Sequence, residues 1–223
     1  MNTLEIKRLL IEWSKELGFD ALSVGKLDLD EDVRKLRVWL KNGFQGTMKY
    51  MSANLDKRAN PKSLFPGTLS VISVRMSYRT ESLVTDRRIL ANDAKGFISR
   101  YALGRDYHKT VRSRLKTLGN RLEAKIGSFG YRVFSDSAPI LERSLARNAG
   151  LGWVGKNTML IHPKAGSYFF LGELFTDLDI PHSNKRIENK CGPCSKCMNI
   201  CPTNAIIEPY QIDARKCISY LTI

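Results

Sequence analysis

No run of 18 or more apolar residues occurs in the 223-residue chain, so the sequence predicts no transmembrane helix. The N-terminal stretch MNTLEIKRLLIEWSKELGF carries charges throughout and lacks the continuous apolar segment of a secretory signal. Internal repeats and low-complexity tracts are absent. Histidine is scarce, with three in all, and His162 and His182 show no ligand-like spacing. Acidic residues are outnumbered, 22 against 36 Lys and Arg, which leaves a net charge of +14. That balance favours a polyanionic partner, nucleic acid before membrane, although a merely well-solvated basic surface has the same composition. Cysteine is missing from the first 190 residues. With no signal sequence, the cysteines that follow point to a reducing cytoplasm and not to a disulfide framework.

Those cysteines are the most specific feature present. Cys191, Cys194, Cys197 and Cys201, followed by Pro202, form C-x2-C-x2-C-x3-C-P, and Cys217 comes after a short polar stretch. This is the bacterial ferredoxin ligand run for a [4Fe–4S] cluster, in which the fourth cysteine serves a second cluster. The competing zinc site wants four closed ligands, commonly as two separated pairs, and fits this packed run poorly. Two cubanes need eight cysteines and this chain has five. The apolar end ISYLTI and that shortfall lead us to expect a longer protein, of which this is the N-terminal part.

The remaining 43% hydrophobic content supports a core. Helical periodicity predicts helices over the first 17 residues, capped by Asn2 with support from Glu5, over Asp30–Lys41, and from about Asp106 to Ile126. LSVISVR (69–75), YRVFS (131–135), Thr158–Ile161 and Tyr168–Phe175 read as strands, Pro139–Asn148 as a helix and polar residues 79–95 as an exposed connection. Residues 177–190 are turn-rich and suggest a domain boundary near residue 180.

Three further stretches bear on chemistry. Gly150, Gly152 and Gly155 match G-x-G-x-x-G, but a helix precedes and a strand follows, the reverse of a dinucleotide site. The same stretch misses a P-loop because Asn157 stands where Ser or Thr is needed. Asp136 follows the strand YRVFS. The stretch reads either as a helix N-cap, by Asp136 or Ser137, or with Asp136 as a proton donor desolvated by Phe134, Ala138 and Pro139. RYALGRDYHKTVRSRLK (100–116) interleaves basic and aromatic residues, as suits unpaired bases and phosphates, or forms a solvated helix face.

Taken together, residues 136–178, CGPCSKCMNICPTNAI, DARKCISYLTI, GFISRYALGRDYHK (96–109) and RANPKSLFPGTLSVISV (58–74) closely resemble the epoxyqueuosine reductase family. The resemblance implies an α+β fold: a nitroreductase-like cobalamin-binding domain over residues 1–180, then the start of a ferredoxin-like 4Fe-4S domain over 181–223. The family's C-terminal helical-repeat region is then expected to be absent. The implied reaction removes the epoxide oxygen of epoxyqueuosine in a tRNA anticodon to give queuosine, using cobalamin, two [4Fe–4S] clusters and an external electron donor. Asp136 falls on the proton donor. Cys191, Cys194 and Cys197 fall on one cluster, and Cys201 and Cys217 on the second, which lies nearer the cobalamin. Arg58, Tyr101, Lys156, Asn157 and Ser219 lie in segments expected to line the cobalamin pocket, with Asp136 also facing it. A cytoplasmic monomer without membrane contact is expected. A corrinoid, iron–sulfur reductase of a small molecule, such as a dehalogenase, and a non-enzymatic RNA-binding iron–sulfur protein are the alternatives.

Overall fold

The computed structural model describes residues 1–79 and 82–222. Its first helix, α1 (Thr3–Glu16), starts where the sequence places a cap. The Asn2 side chain accepts from the Glu5 N–H and the Glu5 carboxylate accepts from the Asn2 N–H, which satisfies two otherwise orphaned donors. Strand β1 (Ala21–Gly25) leads into α2 (Asp30–Lys41) and two helical turns, α3 (Tyr50–Ala53) and α4 (Leu55–Ala59). The β-branched run becomes β2 (Ser70–Ser77). Then come α5 (Leu83–Leu90), the long α6 (Tyr107–Ile126), β3 (Tyr131–Phe134) and α7 (Glu142–Asn148). A short hairpin of β4 (Trp153–Val154) and β5 (Leu160–Ile161) precedes the long β6 (Phe169–Thr176). The cysteine-rich end carries α8 (Lys196–Asn199), the hairpin β7 (Ile206–Glu208) and β8 (Gln211–Ile212), and α9 (Ile218–Leu221). Among the described residues, no helix is long and apolar enough to cross a membrane.

Four strands form one antiparallel sheet in the order β1-β2-β6-β3. Helices cover both faces, which is why β2 and β6 read as nearly continuous apolar runs. On one face Ile72, Val74 and Leu174 pack with Leu115 and Leu118 of α6 and with Leu10 of α1. On the other, Val71 and Phe175 pack with Leu145 of α7 and Val33 of α2. Each such large side chain, once buried, contributes on the order of 1.5–3 kcal/mol. One residue breaks the apolar pattern at the centre of the sheet. Glu173 of β6 lies on the α7 side, directly between Ser73 of β2 and Phe134 of β3.

Three sequence expectations are corrected. The 79–95 segment is not a bare connection: α5 forms within it, capped by Ser82 onto the Thr85 N–H, and Asp86 is buried against Arg100. Thr80 and Glu81 of that segment, and Ile223 of ISYLTI, lie outside the described residues. The Pro139–Asn148 helix starts only at Glu142, with Leu141 at its N-cap and no side-chain cap, because the chain first turns sharply at Asp136. The Thr158–Ile161 strand is reduced to β5, because Thr158 takes a left-handed φ of 66°.

The glycine-rich stretch after α7 is a structural turn. Gly150 has φ +76°, and a Cβ placed on it would stand 2.0 Å from the Lys185 carbonyl oxygen. Gly150→Ala therefore meets both left-handed strain and a backbone clash. It is expected to cost about 2–4 kcal/mol, read as a lower urea midpoint with an unchanged slope.

Candidate active site and cysteine loop

At the end of β3 the chain reaches Asp136 with φ 60°, a left-handed conformation that a non-glycine residue keeps only when its surroundings enforce it. Three contacts do so here. The Asp136 N–H donates to Glu142 Oε1 (2.5 Å), the Ser137 N–H to the Ser135 carbonyl (2.8 Å), and the Ser135 hydroxyl to the Leu171 carbonyl of β6 (3.0 Å). The turn aims the Asp136 carboxyl back at the first turn of α6. There Tyr107 donates its hydroxyl to Asp136 Oδ2 (2.8 Å), and His108 Nε2 reaches the same oxygen (2.8 Å). His108 Nδ1 faces Asp106 Oδ1 at 2.8 Å, and Asp106 also caps α6 through the His108 N–H.

Both imidazole nitrogens thus face carboxylates, the arrangement that suits the doubly protonated ring. Burial alone would lower the pKa of His108, but the hydrogen bonds to Asp136 and Asp106 outweigh it and raise it. The Tyr107 hydroxyl is pushed up, first by burial and then by its bond to Asp136. Asp106 is held low, chiefly by its bond to His108.

Beside this cluster the rings form a surface. Tyr107 stacks on Phe170 of β6 (4.0 Å between centroids, 2° between planes), and Phe170 meets Tyr78 at 4.6 Å. Tyr101 lies 53% exposed on the 3-10 turn Arg100–Ala102, within electrostatic reach of Tyr78 and Tyr107. A cavity of about 300 Å³ opens beside the turn, lined by Arg112, Arg132, Ser137 and Pro139 among others.

These positions revise two local readings of Asp136. It caps no helix, since its carboxyl points to α6 and α7 begins six residues later. Nor is it dry: its side chain is 58% exposed. The convergence of Tyr107 and His108 on Asp136 was missed in the sequence. Its only trace there was the basic and aromatic stretch 100–116.

The cysteine loop is built differently. All five cysteines are free thiols, Cys194 being the exposed one. Cys201 Sγ accepts from the Ala205 N–H at 3.3 Å. Backbone N–H groups of Ile206, Thr203 and Ala205 bring its thiol down to about 7. Such donors suit an anionic sulfur ligand. Among the described residues, no three His, Cys, Asp or Glu converge closely enough for a single metal ion. Cys191 and Cys194 lie in the loop, Cys197 on α8 and Cys201 just past the end of α8, an open spread that suits clusters, whose ligands sit on separate irons, better than a closed zinc site.

The loop is pinned to the rest of the fold by side chains from several elements. The Lys156 ammonium donates to the carbonyls of Gly192 (2.7 Å) and Cys194 (3.0 Å). Trp39 Nε1 donates to the Ile212 carbonyl (2.6 Å), and the Ala214 N–H to the Phe44 carbonyl (3.0 Å). Tyr220, next to Ser219 on α9, bonds Thr47 through its hydroxyl.

The five residues expected around one pocket therefore fall in different places. Tyr101 lies by the Asp136 cluster. Arg58 is buried, with Nη2 on the Tyr50 carbonyl (3.4 Å), Nε without a partner among the described residues, and Glu142 within electrostatic reach. Asn157 folds its own turn by accepting the Met159 N–H. Lys156 is spent on the cysteine loop, because a four-carbon ammonium reaches across to paired carbonyls there. Ser219 sits on α9, at the end of the cysteine segment.

Comparison with known proteins agrees with both halves of this arrangement. Residues 58–137, which include Asp136, match the family model described as epoxyqueuosine reductase QueG, DUF1730. Residues 190–223 match a 4Fe-4S double cluster binding domain. The epoxyqueuosine reductase of Pseudomonas aeruginosa is 51% identical over 215 residues, covering 95% of this chain and 58% of that one. Over nearly all of its own length the chain is similar to epoxyqueuosine reductases. A solved epoxyqueuosine reductase from Bacillus subtilis, with its aspartate-bearing catalytic loop swung out of the active site, aligns at a TM-score of 0.86 and 30% identity. That alignment covers 99% of this chain and 58% of that one. An epoxyqueuosine reductase crystallised with an epoxyqueuosine-modified tRNA stem loop gives 0.84 at 29% identity, with the same coverage. The chain thus spans under three-fifths of the length of these epoxyqueuosine reductases, and it shares with them a mixed helix-and-sheet fold.

Proposed function

We propose that this chain carries the active site and part of the electron path of an epoxyqueuosine reductase, acting on epoxyqueuosine in tRNA to give queuosine. The observation that carries this reading is the Asp136 carboxyl, set by a left-handed turn between a tyrosine hydroxyl and a histidine and beside an aromatic surface. Removing an epoxide oxygen to leave an alkene consumes two electrons and two protons and releases water. Cobalamin, when bound, supplies the reductive attack, and [4Fe–4S] clusters pass electrons to it singly. The protein's own residues supply protons and position. Asp136 gives a proton to the departing oxygen, and the His108 imidazolium on Oδ2 restores it. A tRNA seated over the site would exclude water from the exposed carboxyl and from the oxygen it protonates.

Residues 1–180 act in this reading as a nitroreductase-like cobalamin and substrate domain, and 181–223 as part of a ferredoxin-like domain. Cys191, Cys194 and Cys197 would hold one cluster, and Cys201 and Cys217 would supply ligands to the second. Arg58 fits the macrocycle, since its buried Nε lacks an acceptor that a corrin amide oxygen would provide. Tyr101 and Asn157 follow as pocket-lining residues and Ser219 as a contact from α9, whereas Lys156 acts through the cysteine loop. The protein works as a cytoplasmic monomer reduced by an external donor.

The Tyr107, Phe170 and Tyr78 rings offer stacking for an unpaired base, and the surrounding arginines offer phosphate contacts. The intact gene product, loaded with both cofactors and a strong reductant, is expected to convert epoxyqueuosine tRNA to queuosine tRNA. Absence of product under those conditions removes the reading. The affinity for tRNA is expected to fall by about 10³–10⁵ between 50 and 200 mM salt if 6–10 phosphates are engaged. A salt-insensitive protein that binds no tRNA points to a small-molecule reductase instead.

A further inference from the structure

Behind the Asp136 turn lies a carboxyl pair that the chemistry above leaves unused. Glu173, in the middle of β6, is fully buried, and among the described residues no N–H or hydroxyl reaches either of its oxygens. The Ser73 hydroxyl across the strand pair is buried and unpartnered as well. The neighbour of Glu173 is the Glu142 carboxyl, within hydrogen-bonding reach. Two carboxyl groups can share a hydrogen bond only when one of them holds a proton, and a buried pair strongly resists losing it. Burial, and then the charge of Glu142, hold Glu173 protonated well above the usual carboxylate range. Glu142 is pushed up to about 7, mainly by burial, with the Asp136 N–H opposing and the Asp136 charge assisting. The pair thus keeps one proton through neutrality and takes up a second as pH falls below about 7.

The other end of Glu142 bears on Asp136, because its Oε1 accepts the Asp136 N–H at 2.5 Å. A charged acceptor makes a shorter and stronger bond than a neutral one. We propose that Glu142 is a positioning residue for Asp136, and that the proton it shares with Glu173 decides how firmly the turn is held. With Glu142 ionised, the Asp136 N–H is gripped and the carboxyl faces Tyr107 and His108. With both glutamates protonated the grip weakens and the turn is released. The proposal rests on reading Asp136 as the proton donor. The groups facing Glu142 are Glu173 on β6, Asp136 on the turn, Arg143 on its own helix, Arg58 on α4 and Tyr107 on α6. Arg75 of β2 is turned away toward the Leu151 carbonyl, and β1, β4 and β5 carry no charged side chain.

The test is the Asp136 amide signal of the intact gene product, labelled with nitrogen-15 at aspartate only and without cofactors, identified by its loss in Asp136→Asn. Its shift is expected to step with a midpoint near 7. On the acid side its exchange with solvent, corrected for intrinsic rate, becomes about 5–10-fold faster, the factor separating a charged from a neutral acceptor. Glu142→Gln is expected to abolish the step and exchange fast at every pH. In the cofactor-loaded protein, the same variant loses the acid-side fall in turnover that the wild type shows. A step left intact by Glu142→Gln arises from His108 and overturns the proposal. Should that variant not fold, Glu173→Gln removes the shared proton and must move the midpoint, and an unmoved midpoint overturns the proposal equally. Wild-type turnover by Asp136→Asn would sink the proton-donor reading alone, since the amide step is measured without catalysis.

Discussion

Asp136→Asn is expected to lower the rate of epoxide removal by about 10²–10⁴-fold, the usual contribution of a positioned general acid, with tRNA affinity unchanged. The amide keeps the shape of the side chain and can still accept from Tyr107, but it has no proton to give. It also removes one of the two carboxylates that raise His108, leaving Asp106 as the other. The His108 pKa should therefore fall in the variant, which imidazole NMR would show directly. The sign for stability follows. A histidine raised in the folded state contributes stability fully below its unfolded pKa, and that contribution is lost as pH rises through the folded value. The variant should lose part of this pH-dependent contribution. Single-turnover kinetics on epoxyqueuosine tRNA measure the rate, and a wild-type rate would remove Asp136 from the mechanism.

Cys197→Ser should have a comparable effect on turnover by a different route. A serine hydroxyl replaces the thiolate at the third position of the run, and the cluster held with Cys191 and Cys194 is expected to be lost or to fall to a three-iron form. Iron content and the low-temperature EPR of the reduced protein report this. Turnover with an electron donor should then drop to background, because the proposed path delivers electrons one at a time through the clusters. Cys201→Ser is expected to remove a different EPR signal, that of the second cluster. Identical spectra from the two variants would show that both residues serve one cluster, and wild-type turnover by Cys197→Ser would remove that cluster from the electron path.

How much of this was legible beforehand follows the range of the interactions involved. The capping box of Asn2 and Glu5 and the stripe Val111, Leu115, Leu118 and Leu122 were readable because helix contacts repeat within four residues. β2 and β6 were readable because burial on both faces leaves an apolar run that needs no partner to be seen. The cysteine run was readable for a related reason: its four cysteines lie close together in sequence, so the pattern needs no distant partner to be seen. Lys156 shows where such reading stops. Its neighbours in sequence suggested a cofactor pocket, yet its ammonium lies on carbonyls 36 and 38 residues away.

The site around Asp136 lay beyond local reading for the same reason. Its tyrosine and histidine come from α6, 29 and 28 residues back, and its turn is braced by β6 and α7. Glu173 is the clearest case. As one letter in FFLGELFT it is a polar interruption of a strand, and only the pairing of β6 with β2 and β3 under α7 gives it a buried place beside Glu142. By itself the sequence determined most of the longer elements, the basic charge, the cysteine run and the family resemblance, since each is written in composition or short spacing. The tertiary structure decided which carboxyls are exposed, which are buried and what they touch, because the energy of a charge is set by the groups that folding brings around it.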